Sequence, residues 1–150
     1  MEQLDEAQLA RLREIFGRIP YTRLLGIEFL SAARGEARFA LELREELTRN
    51  GGLMHGGAVA SLMDTASAFA VMSLLEPGQR TVTIDLTIHF LRPVLRGRIE
   101  ARARVLRAGR RIATLSIDTT DEAGKLTATA TTTYLIQAET PGQTPWNDRL

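Results

Sequence analysis

Residues 55–75 read HGGAVASLMDTASAFAVMSLL and contain a single acidic residue, Asp64. Apolar side chains surround the whole stretch, which has no side suited to water, so we predict a helix buried in the core. A carboxylate in such a helix needs a hydrogen-bonding partner or a chemical purpose, because burying it unpaired is costly. Two interpretations of Asp64 are open at this point: a satisfied core acid, or the general base or nucleophile of an enzyme.

One face of this helix is predicted to carry large side chains (the large face) and the opposite face small ones (the small face). With successive side chains about 100° apart, the large side chains of Val59, Leu62 and Phe69 point away from Asp64. The residues around Asp64 are mostly small, namely Gly57, Ala60, Ser61, Ser67, Ala68 and Val71. We expect the large face to meet a sheet. The small face would admit another backbone, a partner helix or a slender ligand.

The tripeptide His55-Gly56-Gly57 precedes this helix. The first N–H groups of a helix lack partners within it and could hold a developing oxyanion, although a glycine-rich loop can equally serve chain geometry alone. His55 and Asp64 are nine residues apart, roughly 13 Å along a helix axis and on opposite sides of it. A shared site would therefore combine the loop of one copy with the aspartate of a second, related by a two-fold axis.

The remaining chain predicts an α+β fold. Residues 5–18 have the pattern of a short amphipathic helix, capped by Asp5 and stopped by Pro20. Two strands flank an Arg34-Gly35 turn, and four more segments after Pro77-Gly78 alternate polar and apolar residues or lie between turns. The first of them should bury one face made of Val82, Ile84, Leu86, Ile88 and Phe90. We expect an antiparallel sheet of about five to six strands, curved around the apolar helix.

Length and composition narrow the class of protein. The 150 residues suit one domain, which we place at 1–137, with an N-terminal helix and linker at 1–23 and a flexible tail at 138–150. A net charge of +1 gives no bulk attraction to nucleic acid or membranes. The absence of cysteine excludes disulfides and thiolate chemistry. Without a secretory signal pattern, we expect a cytoplasmic protein.

The ordered set of motifs resembles a known family. It comprises H-G-G, an aspartate nine residues after the histidine, F-L-R-P ending a strand and G-R-R at a turn. Over about residues 24–137 the chain resembles the hotdog-fold acyl-CoA thioesterases, with the phenylacetate-degradation (PaaI) type as the nearest branch. That resemblance implies a long helix wrapped by an antiparallel sheet, homodimers joined edge to edge that commonly pair again into tetramers, and active sites between subunits.

The resemblance also implies roles for particular residues. Asp64 would activate water or attack the thioester, and the Gly57 N–H of the other subunit would polarise the thioester carbonyl. Asn50 would lie near the thioester or the nucleophilic water, His55 would support the loop, and Thr83 would orient water. Substrate binding is expected from Gly56, Ser67, Arg92, Arg110 and Arg111, the arginines near the coenzyme A phosphates.

One departure concerns Asn50. Family members usually place this asparagine six residues before the histidine, whereas Asn50 is five before His55, so the loop is one residue shorter. No cofactor is expected beyond coenzyme A in the substrate, and no metal, since no group of ligands has the required spacing.

Two other functions stay open. A hotdog hydratase or dehydratase is one, and a protein that binds acyl-CoA without catalysis is the other. Met63 and Met72 suggest an adaptable apolar wall, which both aromatic and medium-chain acyl groups would suit.

Overall fold

The computed structural model describes residues 2–140. The helices are α1 (Glu6–Gly17), α2 (Pro20–Leu25) and α3 (Gly56–Met72), and a single 3₁₀ turn spans Glu45–Leu47. The strands are β1 (Glu28–Ala33), β2 (Glu36–Glu42), β3 (Gln79–Phe90), β4 (Arg98–Ala108), β5 (Ile112–Asp121) and β6 (Leu126–Ala138).

The six strands form one antiparallel sheet in the order β1-β2-β4-β5-β6-β3. Helix α3 packs against all six strands and buries the large face that contains Val59, Leu62 and Phe69. The short N-terminal helix α1 begins at Asp5, whose side chain and that of Gln8 form a reciprocal capping box. The predicted α+β hotdog architecture, a long apolar helix wrapped by an antiparallel sheet, is confirmed.

An aromatic cluster fixes α1 to the core. Phe69 of α3 lies 5.1 Å from Phe39 of β2, 5.8 Å from Phe16 of α1 and 6.0 Å from Phe29 of β1, measured between ring centroids. Tilted and edge-to-face rings at these distances attract one another beyond their buried area. The cluster therefore joins the long helix, one edge of the sheet and the N-terminal helix.

Strand β3 departs from its predicted alternation. Thr83 pairs with Tyr134 and Asp85 with Thr133, which leaves Ile84 as an extra residue in a β-bulge. An extra residue exchanges the faces of a strand. Thr81 and Thr83 consequently face α3 before the bulge, as do Leu86 and Ile88 after it, whereas Val82 and Ile84 are exposed at 48% and 55%. The single buried face predicted for this strand is wrong in its first half.

Pro20 begins a helix in addition to following one. It occupies the first turn of α2, where its missing N–H costs nothing, and Gly26 ends that helix in the left-handed region at φ 75°. The sequence pattern predicted the end of α1 but not the second helix.

None of the helices within residues 2–140 is long and apolar enough to cross a membrane. Strand β6 continues to Ala138, one residue into the tail that we predicted for 138–150. Residues 141–150 of that tail lie outside the described part of the chain.

We predict that Phe69→Ala lowers the free energy of unfolding by about 3–5 kcal/mol, because it opens a cavity where three other rings meet. Urea denaturation would measure the change. Leu106→Ala is the control, since Leu106 is 63% exposed and its truncation should cost no more than about 0.5 kcal/mol. Equal losses in the two variants would contradict the role given to the cluster.

Candidate active site

Asp64 lies in the third turn of α3 and is half-buried. The Thr83 hydroxyl donates a hydrogen bond to its Oδ1 atom at 2.9 Å. The β-bulge in β3 leaves Thr83 facing the helix, so the local distortion of the strand supplies this donor. Sequence analysis expected Thr83 to orient water, and the structure places its hydroxyl against the Asp64 carboxylate.

Tyr134 supplies a second donor to the same oxygen. Its hydroxyl lies 2.5 Å from Asp64 Oδ1 and 2.9 Å from the Asp64 carbonyl oxygen. Tyr134 is 1% exposed. Burial, reinforced by the negative charge of Asp64, raises the pKa of Tyr134 well above its ordinary value. The phenol therefore stays protonated and remains a donor to the carboxylate.

The two hydroxyls leave the other carboxylate oxygen available. Thr83 and Tyr134 both bind Oδ1, and no hydrogen bond among residues 2–140 involves Oδ2. A carboxylate accepts through both oxygens, so Asp64 is held in one orientation and keeps an atom for a water molecule or a substrate.

His55 caps the N-terminus of α3. Its Nδ1 atom accepts a hydrogen bond from the Gly57 N–H at 2.8 Å. The predicted oxyanion donor is therefore bound to the imidazole in this structure. An acceptor at Nδ1 requires that this nitrogen carries no proton, which leaves Nε2 as the N–H of a neutral ring. Sequence analysis expected His55 to support the loop. In the structure, His55 contacts the loop through this cap.

Asp64 and Gly57 do not meet within one chain. Helix α3 is continuous from Gly56 to Met72, so their separation of seven positions corresponds to roughly 10 Å along its axis. The separation along the helix, which led us to expect a site shared by two chains, is therefore found in the structure.

A cavity of about 340 Å³ borders the start of α3. The Phe90 ring lies against Gly56, where a Cβ atom would come within 3.2 Å of the ring, so a larger residue would require the ring to shift by a few tenths of an ångström. Arg49 and Arg92 also line the cavity, and one Arg92 Nη donates to the Leu126 carbonyl at 2.7 Å. Gly56 and Arg92, two of the predicted binding residues, therefore border the same cavity.

The three predicted phosphate-binding arginines do not come together within one chain. The Arg92 amide binds the Thr127 carbonyl at one end of β6, whereas Arg110 and Arg111 precede Ile112, which pairs with Leu135 near the other end. About eight residues of an extended strand separate these points, or roughly 26 Å. A single nucleotide bound to one chain contacts one group or the other.

Two further predicted residues make no hydrogen bond with Asp64 in this structure. Asn50 is exposed at the tip of a tight turn closed by the Thr48–Met54 bridge. Ser67 is completely buried, and its hydroxyl donates to the Met63 carbonyl at 2.7 Å. That hydroxyl is enclosed within its own subunit, so the predicted substrate-binding role of Ser67 is not supported.

Sequence analysis missed two tyrosines. Tyr134 belongs to β6, a strand of alternating polar and apolar residues, where an aromatic residue is usually interpreted as a core side chain. Tyr21 lies on α2, and its hydroxyl is 2.9 Å from that of Ser61, one turn before Asp64 on α3. No local pattern reports either contact, because both join segments at least 40 residues apart.

Comparison with known proteins identifies similar chains. The family model described as the thioesterase superfamily matches residues 51–128. Human acyl-coenzyme A thioesterase 13 is 37% identical over 111 residues, which cover 72% of this chain and 79% of that protein.

Solved structures of other proteins have a fold similar to that of this chain. The thioesterase HI1161 of Haemophilus influenzae superposes with a TM-score of 0.82 at 26% identity, covering 91% of this chain and 94% of that one. A mutant of the phenylacetic acid degradation protein PaaI from Thermus thermophilus gives a TM-score of 0.72 at 35% identity, covering 78% and 98%.

We predict that Tyr134→Phe changes how stability depends on pH. Because the folded pKa of Tyr134 is raised, the unfolded chain releases this proton near pH 10 while the folded protein retains it. The stability that the tyrosine contributes is fully present below about pH 10 and falls by about 1.4 kcal/mol per pH unit above it. The advantage of the wild type over Tyr134→Phe should therefore shrink between pH 9 and pH 11 in urea denaturation.

Tyr21→Phe is the matched control, since Tyr21 is the other tyrosine of the chain and is 53% exposed. Its difference from the wild type should vary much less over the same range. A difference between wild type and Tyr134→Phe that is independent of pH would show that the phenol is not held as described.

Proposed function

The chain belongs to the thioesterase superfamily, and from this membership and the geometry around Asp64 we propose that it hydrolyses acyl-CoA thioesters to a free acid and coenzyme A. The observation that carries the proposal is the half-buried Asp64 carboxylate, oriented by two hydroxyls with one oxygen left over. Human acyl-coenzyme A thioesterase 13, which is 37% identical, is named for this reaction.

Asp64 acts through its Oδ2 atom. As a general base it accepts a proton from water, whose oxygen attacks the thioester carbonyl. As a nucleophile it attacks the carbonyl itself and forms an anhydride that water then hydrolyses. The coenzyme A thiolate leaves in both cases. Label in the aspartate after a single turnover in heavy-oxygen water identifies the nucleophilic route with water attack at the aspartyl carbon of the anhydride, because the general-base route labels only the product acid.

The Gly57 N–H stabilises the oxyanion. It lies at the N-terminus of α3, where the helix dipole favours negative charge. In the substrate complex the thioester oxygen replaces His55 Nδ1 as the acceptor from this N–H. One acceptor is exchanged for another, so the amide is not left unpaired when the imidazole moves aside.

The active site is shared between two copies of the chain. The separation of Gly57 and Asp64 along α3 supports this arrangement. Strand β3 also ends the sheet, and its exposed Val82 and Ile84 accompany an unpaired edge that suits pairing with another strand. We place the dimer contact along β3, with two dimers forming a tetramer.

Coenzyme A is bound by groups from both copies. Gly56 and Arg92 border the cavity at the start of α3, whereas Arg110 and Arg111 lie at the opposite end of the sheet and would contact phosphates from the second chain. Asn50, at its exposed turn, is available to a ligand between subunits. No cofactor, metal, nucleic acid or membrane takes part, and a cytoplasmic location agrees with acyl-CoA as the substrate.

We predict that Asp64→Asn lowers kcat for acyl-CoA hydrolysis at least about a hundredfold, the scale of a lost general base. Release of coenzyme A is followed with a chromogenic disulfide. Asp118→Asn is a matched control: Asp118 also accepts a hydrogen bond from a threonine hydroxyl, that of Thr129 at 2.7 Å, but on the other face of the sheet. Its activity should stay near that of the wild type.

Near-normal thiol release by folded Asp64→Asn would remove the carboxylate from the mechanism. Saturable binding of acyl-CoA without thiol release by the wild type would instead favour the alternative function, a protein that binds acyl-CoA without catalysis. Consumption of an unsaturated acyl-CoA without thiol release would favour the hydratase.

We predict that the double variant Val82→Lys, Ile84→Lys separates the subunits and lowers hydrolysis at least about tenfold, because lysines on an edge strand oppose strand pairing. Light scattering should give the wild type at least twice the 16.6 kDa of one chain and the variant a lower mass. Leu24→Lys, Leu106→Lys is the control, as both residues are exposed and lie on α2 and β4 rather than on β3. A wild-type mass of 16.6 kDa at micromolar concentration would contradict the shared site.

A further inference from the structure

Two hydrogen bonds in series join α2 to the start of α3. The Ser61 hydroxyl donates to the Gly57 carbonyl at 2.8 Å, and the Tyr21 hydroxyl lies 2.9 Å from the Ser61 hydroxyl. A serine hydroxyl has one proton to donate. Because Ser61 gives that proton to Gly57, Tyr21 is the donor in the second bond. The series therefore runs from the phenol through the serine to the residue whose N–H is the oxyanion donor of the proposed reaction.

Ser61 differs in this respect from the other hydroxyl residues of α3. Thr65 donates to the Ser61 carbonyl and Ser67 to the Met63 carbonyl, each at 2.7 Å. Among residues 2–140, neither of these two hydroxyls accepts a hydrogen bond from another element. A second donor polarises a hydroxyl and strengthens the bond that it donates. The bond to Gly57 is thus reinforced from outside the helix, whereas those of Thr65 and Ser67 are not.

The position of Tyr21 is fixed by its neighbours. The adjacent Thr22 is buried, and Arg44 donates to the Leu24 carbonyl at 2.6 Å, near the end of α2. Tyr21 itself is 53% exposed although its hydroxyl is bonded. Its contact is with Ser61, which belongs to the small face of α3 around Asp64. Tyr21 therefore lies at the surface where the shared site is formed.

We propose that Tyr21 is a positioning residue that holds Gly57 through Ser61 and so acts on the active site of the second copy. The proposal rests on the thioesterase function and the shared site above. Gly57 of one copy serves Asp64 of the other, so a tyrosine that fixes Gly57 affects the reaction at the other chain's carboxylate. Donors stabilise an oxyanion when they are held in place beforehand, and a displacement of about 1 Å can cost about a hundredfold in rate.

We predict that Tyr21→Phe lowers kcat for acyl-CoA hydrolysis at least about fivefold and changes KM less than about twofold, because the loss falls on the transition state. Ser61→Ala should give the same loss, and the double variant no further loss, since both residues act through one series of bonds. Ser61→Thr keeps a hydroxyl and should restore activity. Thr65→Val is the matched control, because the Thr65 hydroxyl has no donor from another element.

Hybrid pairs test which copy the tyrosine serves. Chains with two different affinity tags are produced together, and mixed pairs are isolated on both tags. Asp64→Asn on one chain leaves one working site, which combines Asp64 of the intact chain with Gly57 of the substituted chain. Tyr21→Phe is then placed either on the chain that carries Asp64→Asn or on the other chain. Thiol release should fall at least about fivefold further in the first arrangement only.

The two arrangements contain the same substitutions, so a general effect of Tyr21→Phe on folding cannot make them differ. Pairs of identical chains left in the preparation would bias the comparison in the opposite direction. Loss in the second arrangement only would show that the tyrosine serves its own Asp64. That result, equal activities of the two arrangements, or additive losses in Tyr21→Phe and Ser61→Ala would each overturn the proposal and leave the thioesterase function standing.

Hydrogen exchange separates failure of the positioning role from failure of the reaction. The Gly57 N–H is bonded to His55, and its exchange, measured by NMR, needs no substrate. Exchange should quicken at least about fivefold in Tyr21→Phe and in Ser61→Ala, but not in Thr65→Val, if the two hydroxyls hold the start of α3. That result in a protein that releases no thiol from any acyl-CoA would retain the contact and reject the reaction. Unchanged exchange would reject the positioning role whatever the activity.

Discussion

A negative charge on an otherwise apolar helix is the constraint on which this structure depends. Helix α3 is surrounded by the sheet, and Asp64 is its one acidic residue. Water cannot fully solvate such a carboxylate, so the protein must supply donors. Thr83 and Tyr134 do so from neighbouring strands. The direction of these two donors decides which carboxylate oxygen accepts their hydrogen bonds and which remains available.

The bulge in β3 has two effects at once. It keeps Thr83 facing inward, where its hydroxyl binds Asp64, and it leaves Val82 and Ile84 facing outward. A regularly alternating strand with Leu86 and Ile88 buried would reverse those directions. One inserted residue thus gives the site its donor and gives the free edge of the sheet its apolar character.

Most of the fold and part of the site could be predicted from the sequence. The apolar stretch around Asp64, the Asp5 cap and the turns at Gly35 and Pro77-Gly78 are local signals, and the elements that they predict are present. The bulge was missed because the pairing of β3 with β6 defines it, over about 50 residues of chain. Tyr134 was missed for the same reason, and α2 because Pro20 can end one helix and begin another.

The attachment of α1 has a consequence for truncated forms of this protein. Leu12 is the one buried residue of that helix, and Phe16 joins the aromatic cluster from a half-buried position. Ile15 packs against the same core. Removing the helix would therefore expose the sides of Phe29 and Phe69 that Phe16 covers and leave an apolar patch that favours aggregation.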